Sequence, residues 1–240
     1  MRRLHTISRT VQYKNAKLVS VLISMFLLLA VVIAPLKASA WTGFYFNGAW
    51  KTVSNNGAAI TIETQNPTIS EDSSVSAWAM TCNGTDSYAQ VGWVKFSGYT
   101  APKYFYEYNY EPGGVWYQKT LGTATAGSHN DFMVGCDSTT MYFKINGISY
   151  GTVSLSTIPF TRSMVQFFGE THDEDDQCPG SVANPVTMGN AKYKNTSNSW
   201  VSATCYNPSS LGSGYGDLST MRNNISTSGS TEWEIWDSRY

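Results

Sequence analysis

From residue 43 to residue 194 the chain repeats one pattern. Short runs of β-branched and aromatic residues, with apolar and polar positions alternating, are closed by Gly, Asn, Ser or Pro. Eleven such runs read as strands: residues 43–52, 58–63, 74–81, 88–96, 103–110, 115–121, 129–136, 139–145, 149–155, 163–172 and 186–194. Asn146-Gly147 lies between two of them and signals a hairpin, because both residues tolerate positive φ. No run carries a helical period. Short strands at this spacing predict an all-β fold, an antiparallel double-sheet β-sandwich of the jelly-roll or concanavalin-like kind.

The two ends of the chain break the pattern. Residues 1–17 are polar and basic, residues 18–35 are apolar and uncharged, and Ala38-Ser39-Ala40 supplies small residues ahead of Trp41. That order predicts a signal peptide over residues 1–40, cleaved before Trp41, and a secreted, extracellular product with no stable membrane association after cleavage. Residues 41–206 are then the sandwich domain. Residues 207–229 are rich in Ser, Gly and Asn and read as a loop, and 231–240 as a tail or an edge strand.

Composition narrows the partners. The chain is 42 % hydrophobic, 14 % aromatic and 14 % charged, too apolar for disorder. Its formal net charge is −1, but residues 1–40 hold six Lys and Arg and no acidic residue. The remainder carries 10 Lys and Arg against 17 Asp and Glu, a net of −7, which argues against nucleic acid and anionic membrane as partners. Cys82, Cys136, Cys178 and Cys205 are an even set in an exported chain and predict two disulfides, in any of three pairings. They are too scattered for a zinc site, so no metal or other cofactor is expected. A monomer is expected. Asn83, Asn195 and Asn224 begin glycosylation triplets, relevant in a eukaryotic host.

The usual catalytic signatures are absent: there is no GxSxG, no HExxH and no phosphate-binding glycine loop, and two histidines, His129 and His172, follow the leader. Two strands carry candidate chemistry. In Tyr88-Ala-Gln-Val-Gly-Trp-Val-Lys-Phe96, alternation puts Gln90 with Gly92 and Val94, opposite Trp93. In Met164-Val-Gln-Phe-Phe-Gly-Glu170, Glu170 shares a side with Gln166 and Phe168. If both sides line one groove, a carboxylate and a carboxamide can meet on a bound water.

Several ordered motifs resemble the glutamic peptidases. Gln90-Val-Gly-Trp93, the Tyr-rich strand 104–108, Gly169-Glu170, Thr187-Met-Gly189 and Cys205-Tyr206 follow the order of the neprosin-type branch. Ser76-Ala-Trp78, Gln90-Val-Gly92 and Tyr106-Glu-Tyr108 are similar to the front half of the eqolisin branch. The resemblance implies a double β-sandwich that hydrolyses peptide bonds of a polypeptide substrate at acidic pH, with Gln90 and Glu170 as the catalytic pair. Neprosin-type enzymes have Glu where this chain has Gln90, so the chain departs from them there and agrees with eqolisins. The resemblance also places Glu107 along the substrate groove, and Gln166, Phe168 and Trp93 are candidate substrate-binding residues beside it, the aromatic rings supplying a partly dry wall. Read on their own, Glu107 suits a solvent-facing charge, and Trp93 and Trp78 suit the core. Asp173-Glu-Asp-Asp176 reads as a solvated acidic turn or a calcium loop.

Rival readings remain at this stage. Surplus Tyr and Trp suit a carbohydrate-binding sandwich. Glu232, Glu234 and Asp237, interleaved with Trp233 and Trp236, suit a glycosidase. A non-catalytic secreted β-sandwich is the third.

Overall fold

The computed structural model describes residues 44–70, 72–84, 86–207 and 218–240. The expected leader (1–40), the start of the first expected strand and much of the Ser/Gly-rich loop lie outside the described residues. The described chain is all-β, with one 3-10 turn at Glu111–Gly113. Its strands are β1 Tyr45–Thr52, β2 Gly57–Glu63, β3 Ser74–Cys82, β4 Ser87–Phe96, β5 Lys103–Tyr110, β6 Val115–Thr123 and β7 His129–Cys136. They continue with β8 Thr140–Ile145, β9 Ile148–Ser154, β10 Met164–Thr171, β11 Val186–Lys194, β12 Trp200–Ser202, β13 Met221–Asn223 and β14 Trp233–Asp237. Asn146 (φ 50°) and Gly147 (φ 79°) form the β8–β9 turn in the left-handed region, as the Asn-Gly pair predicts.

The strands form two antiparallel sheets. One runs β1-β10-β3-β4-β5-β6; the other runs β13-β14-β11-β2-β7-β8-β9, with β12 on β11. The core lies between them. Val75, Ala77, Ala79, Val91, Trp93, Val165 and Phe167 of the first sheet meet Ile60, Ile62, Phe132, Val134, Phe143, Met188, Trp233 and Ile235 of the second. A half-polar strand would need only that one face. The first sheet buries its other face too: every residue of β3 is buried, and Trp78, Met80, Cys82, Val94, Phe105 and Phe168 make a second apolar cluster. Apolar residues on both faces fit central strands covered on both sides.

Three expectations are corrected. Residues 233–237 are neither tail nor edge: β14 sits between β13 and β11, and Trp233, Ile235 and Asp237 are buried. β13 takes the edge instead. The four cysteines are free rather than paired. They occupy separate neighbourhoods: Cys82 in the outer cluster, Cys136 at the end of β7, Cys205 bridged to Ser230, and Cys178 with its N–H on Asp237. The acidic turn is not solvated throughout. Asp176 is buried and accepts bonds from the Ser70 N–H and from the Ser70, Ser73 and Thr171 hydroxyls, clamping the loop to the start of β3.

Candidate active site

Strand register decides which side chains meet. On the outer face of the first sheet, Gln166 (β10) lies opposite Met80 (β3), which faces Gln90 (β4), then Glu107 (β5), then Gln118 (β6). Two residues along, Phe168, Trp78, Gly92 and Phe105 form the next row. Two further along, Glu170, Ser76 and Val94 form a third. Gly92 sits mid-way between the polar rows. A Cβ there would come within 2.1 Å of the Ala77 carbonyl oxygen, so only glycine allows β3 and β4 this close.

A cavity of about 640 Å³ spans these rows. Gln90, Glu107, Gln166 and Glu170 all line it, as do Ser76, Trp78, Tyr88, Trp116, Gln118 and His172. Two candidate residues do not. Trp93 is fully buried on the opposite face, and its indole N–H donates to the Glu63 carbonyl at 3.1 Å. It belongs to the core, as its parity opposite Gln90 requires. Phe168 is also fully buried and packs edge-on against Trp78, with ring centroids 5.4 Å apart. It supports the cavity from within the apolar cluster rather than facing it.

Glu170 is 7 % exposed and its carboxylate is tightly held. Oε2 accepts the Trp78 indole N–H at 2.6 Å and the Ser76 hydroxyl at 3.3 Å. Oε1 lies 2.8 Å from Nε2 of His172, whose ring meets Phe44 edge-on. Glu107, also 7 % exposed, is held in the same manner. Its Oε1 accepts from the Tyr88 hydroxyl and from the Trp116 indole N–H at 3.2 Å, and its Oε2 accepts from the Gln118 amide at 2.7 Å. Burial pushes the Glu107 carboxyl above its ordinary value; the bonds from Tyr88, Gln118 and Trp116 pull back, and the charge of Glu170 adds to the rise. Burial likewise raises Tyr88, and Glu107 raises it further.

Gln90 is 6 % exposed, and its carboxamide oxygen is buried with no hydrogen-bond partner. A buried acceptor without a donor costs roughly 1–3 kcal/mol, a cost that persists unless a ligand or solvent supplies the proton. Among the described residues no group of three His, Cys, Asp or Glu converges as metal ligands would. Asp237, one of the glycosidase candidates, is buried and bonded to Arg239 and to the Cys178 N–H, so it is structural.

Sequence reasoning left several of these residues without a role. His172 reads as a loop histidine, and Tyr88, Trp116 and Gln118 carry no motif. Parity places Ser76 and Trp78 on one side of β3, and the Ser76-Ala-Trp78 motif marks the strand; their meeting with Glu170 depends on register between β3 and β10.

Solved structures share this architecture. Scytalidoglutamic peptidase bound to a peptide-based transition-state analogue superposes with a TM-score of 0.55 at 13 % identity, covering 80 % of this chain and 98 % of that one. SCP-B, a member of the eqolisin family of peptidases, in a complex with the tripeptide Ala-Ile-His, gives 0.53 at 14 % identity, with the same 80 % and 98 % coverage. Neither a family model nor a curated protein sequence matches the chain. The two-sheet fold is that of eqolisin-type glutamic peptidases. The neprosin-type likeness rests on the sequence motifs alone.

Proposed function

We propose that this protein is an exported glutamic peptidase in which Gln90 and Glu170 activate water against a peptide bond. One observation carries the reading. An anchored glutamate carboxylate shares its cavity with a buried glutamine whose oxygen has no partner. Trp78, Ser76 and His172 occupy three of roughly four acceptor positions on Glu170, leaving one for a water proton. The Gln90 oxygen accepts the other proton of that water and turns its lone pair toward the scissile carbonyl. Glu170 takes a proton as the water oxygen bonds to the carbonyl carbon. The Gln90 N–H donates to the oxyanion that forms. Glu170 then returns its proton to the nitrogen as the C–N bond breaks. An acidic working range and an extracellular setting belong to the same proposal, resting on the likeness to glutamic peptidases and on the order of residues 1–40.

The test is incubation of the purified protein with a denatured protein substrate from pH 3 to pH 8. Peptide cleavage is expected, lost in Glu170→Gln and reduced roughly 100–1,000-fold in Gln90→Ala, the usual effect of removing one oxyanion donor. Cleavage that survives Glu170→Gln overturns the mechanism. Two glutamates in one cavity beside the exposed Trp116 would also suit a glycoside hydrolase. Release of reducing sugar from a β-glucan, without peptide cleavage, would select that reading.

A further inference from the structure

Glu170 takes up a proton in one step of the proposed mechanism and gives it back in another, so the groups that set its charge set the reaction. Its two oxygens are not equivalent. Oε2 accepts both the Trp78 indole N–H and the Ser76 hydroxyl, which fills its positions. The position left for the water proton is therefore on Oε1, the oxygen that His172 meets at 2.8 Å from Nε2. His172 stands two residues beyond Glu170, just past the end of β10, and alternation puts the two side chains on one side. Its backbone N–H donates to the Ser74 carbonyl at 3.1 Å, and its ring rests edge-on against Phe44 with centroids 4.6 Å apart. The two side chains are only 11 % and 10 % exposed, so a charge on the ring acts on Glu170 through little water. Among the described residues the cavity lining contains no lysine or arginine, and His172 is its one basic group.

We propose that His172 is a positioning residue for Glu170: it aims the reacting lone pair of Oε1 and, as the imidazolium, sets the acid end of the working range. This rests on the Gln90–Glu170 reading above and adds to it the group that governs its pH dependence. Protonated on both nitrogens, the ring can only donate, so its Nε2–H fixes one lone pair of Oε1 and leaves the other for water. Its positive charge favours the ionised carboxylate that the first step needs. When the water proton arrives on Oε1, no proton leaves the ring. The same N–H then loosens the carboxyl's hold on its new proton, which eases return to the leaving nitrogen. The other groups around the pair are neutral or acidic. Ser76 and Trp78 on β3 and Phe44 and Phe46 at the start of β1 are neutral, and Tyr88 on β4 and Glu107 on β5 lie across the cavity. Asp173 to Asp176 follow His172 in the chain, with Asp176 bound by Ser70, Ser73 and Thr171. Arg239 donates to the Glu174 and Asp176 carbonyls, and its charge is committed to Asp237.

Two substitutions separate geometry from charge. His172→Phe keeps a ring against Phe44 and removes both the N–H and the charge; His172→Gln restores an N–H donor without the charge. Peptide cleavage by each is measured against pH, beside the unaltered protein. His172→Phe is expected to lower kcat roughly tenfold with KM within about twofold, and to move the acid limb of the kcat profile up by about one pH unit. His172→Gln is expected to recover most of the lost kcat and to keep the displaced limb. An acid limb unmoved in both variants overturns the proposal, because a residue that only fills space changes the height of the profile and not its position. A second measurement does not depend on cleavage. The His172 ring resonances, assigned by their absence from the His172→Gln spectrum, are followed by NMR in the unaltered protein and in Glu170→Gln. Their titration is expected to move to lower pH when the carboxylate is removed; a titration indifferent to Glu170 overturns the pairing. Coupled titration without cleavage of any peptide leaves the pairing standing and removes the peptidase reading; cleavage with an unmoved acid limb does the reverse.

Discussion

At the scale of single residues, alternation along a strand carried most of the legible information. It put Gln90 opposite Trp93 and Glu170 beside Gln166, and the cavity and core divide along that line, with Phe168 on the cavity's side of the sheet but buried in the outer apolar cluster. What alternation cannot supply is the partner across the sheet. Trp78 bonds Glu170 because β3 and β10 align Ser76 with Glu170, a register no local pattern encodes. Trp78→Phe keeps most of the ring and deletes that N–H. Losing a hydrogen bond to a charged group costs about 1.5–3 kcal/mol, so kcat should fall roughly 10–100-fold with KM little changed. An unchanged kcat would show that Trp78 only fills space. The cysteines give a second expectation at this scale. Burial raises Cys82 and Cys205 to about 12, so both thiols stay protonated and unreactive in the fold. Without reductant, a thiol reagent should count none rapidly in the native protein and four after denaturation. Because the folded values exceed the unfolded value of 9.0, their stabilising share is complete below pH 9 and fades as pH rises toward 12. Alkaline unfolding should steepen by roughly 1.4 kcal/mol per pH unit for each thiol.

At the scale of elements, hairpin neighbours were readable and inserted strands were not. The two residues Asn146-Gly147 announce the turn between β8 and β9. β14 is different: its alternation, with Trp233, Ile235 and Asp237 inward, is present in the sequence, but after a Ser/Gly/Asn-rich loop at the end of the chain it reads as a tail or an edge strand. The structure inserts it beside β11, with Met188 opposite Trp233. Trp233→Ala should cost about 3–5 kcal/mol by leaving a core cavity. A tail tryptophan would cost no more than about 0.5 kcal/mol, so a urea melt separates the two placements. The β3–β4 pair makes a sharper demand at Gly92. Alanine there must push apart strands carrying Trp78 and Gln90, and should destabilise by at least about 1–3 kcal/mol while also lowering activity.

At the scale of the whole molecule, the two sheets are stitched by pairings that join distant parts of the chain. Tyr45 faces Thr171, Ile62 faces Met188, and β10 separates β1 from β3 in the first sheet. Closing such loops is entropically costly before any contact repays it, so neither sheet has a short route to forming alone. The core argues the same way, because Phe167 of the first sheet and Trp233 of the second pack with ring centroids 6.2 Å apart. One interface stabilises both sheets, and each exposes a large apolar face without the other. Equilibrium unfolding should then be a single transition: far-UV circular dichroism, which reads all strands, and tryptophan fluorescence, which reads the core, should trace one curve in urea. Phe167→Ala, a change confined to β10, should move both curves together by about 3–5 kcal/mol. If the dichroism curve instead split, with one step unmoved by the substitution, the second sheet would be holding itself together without β10, and the shared core would not be what makes the sandwich one cooperative body.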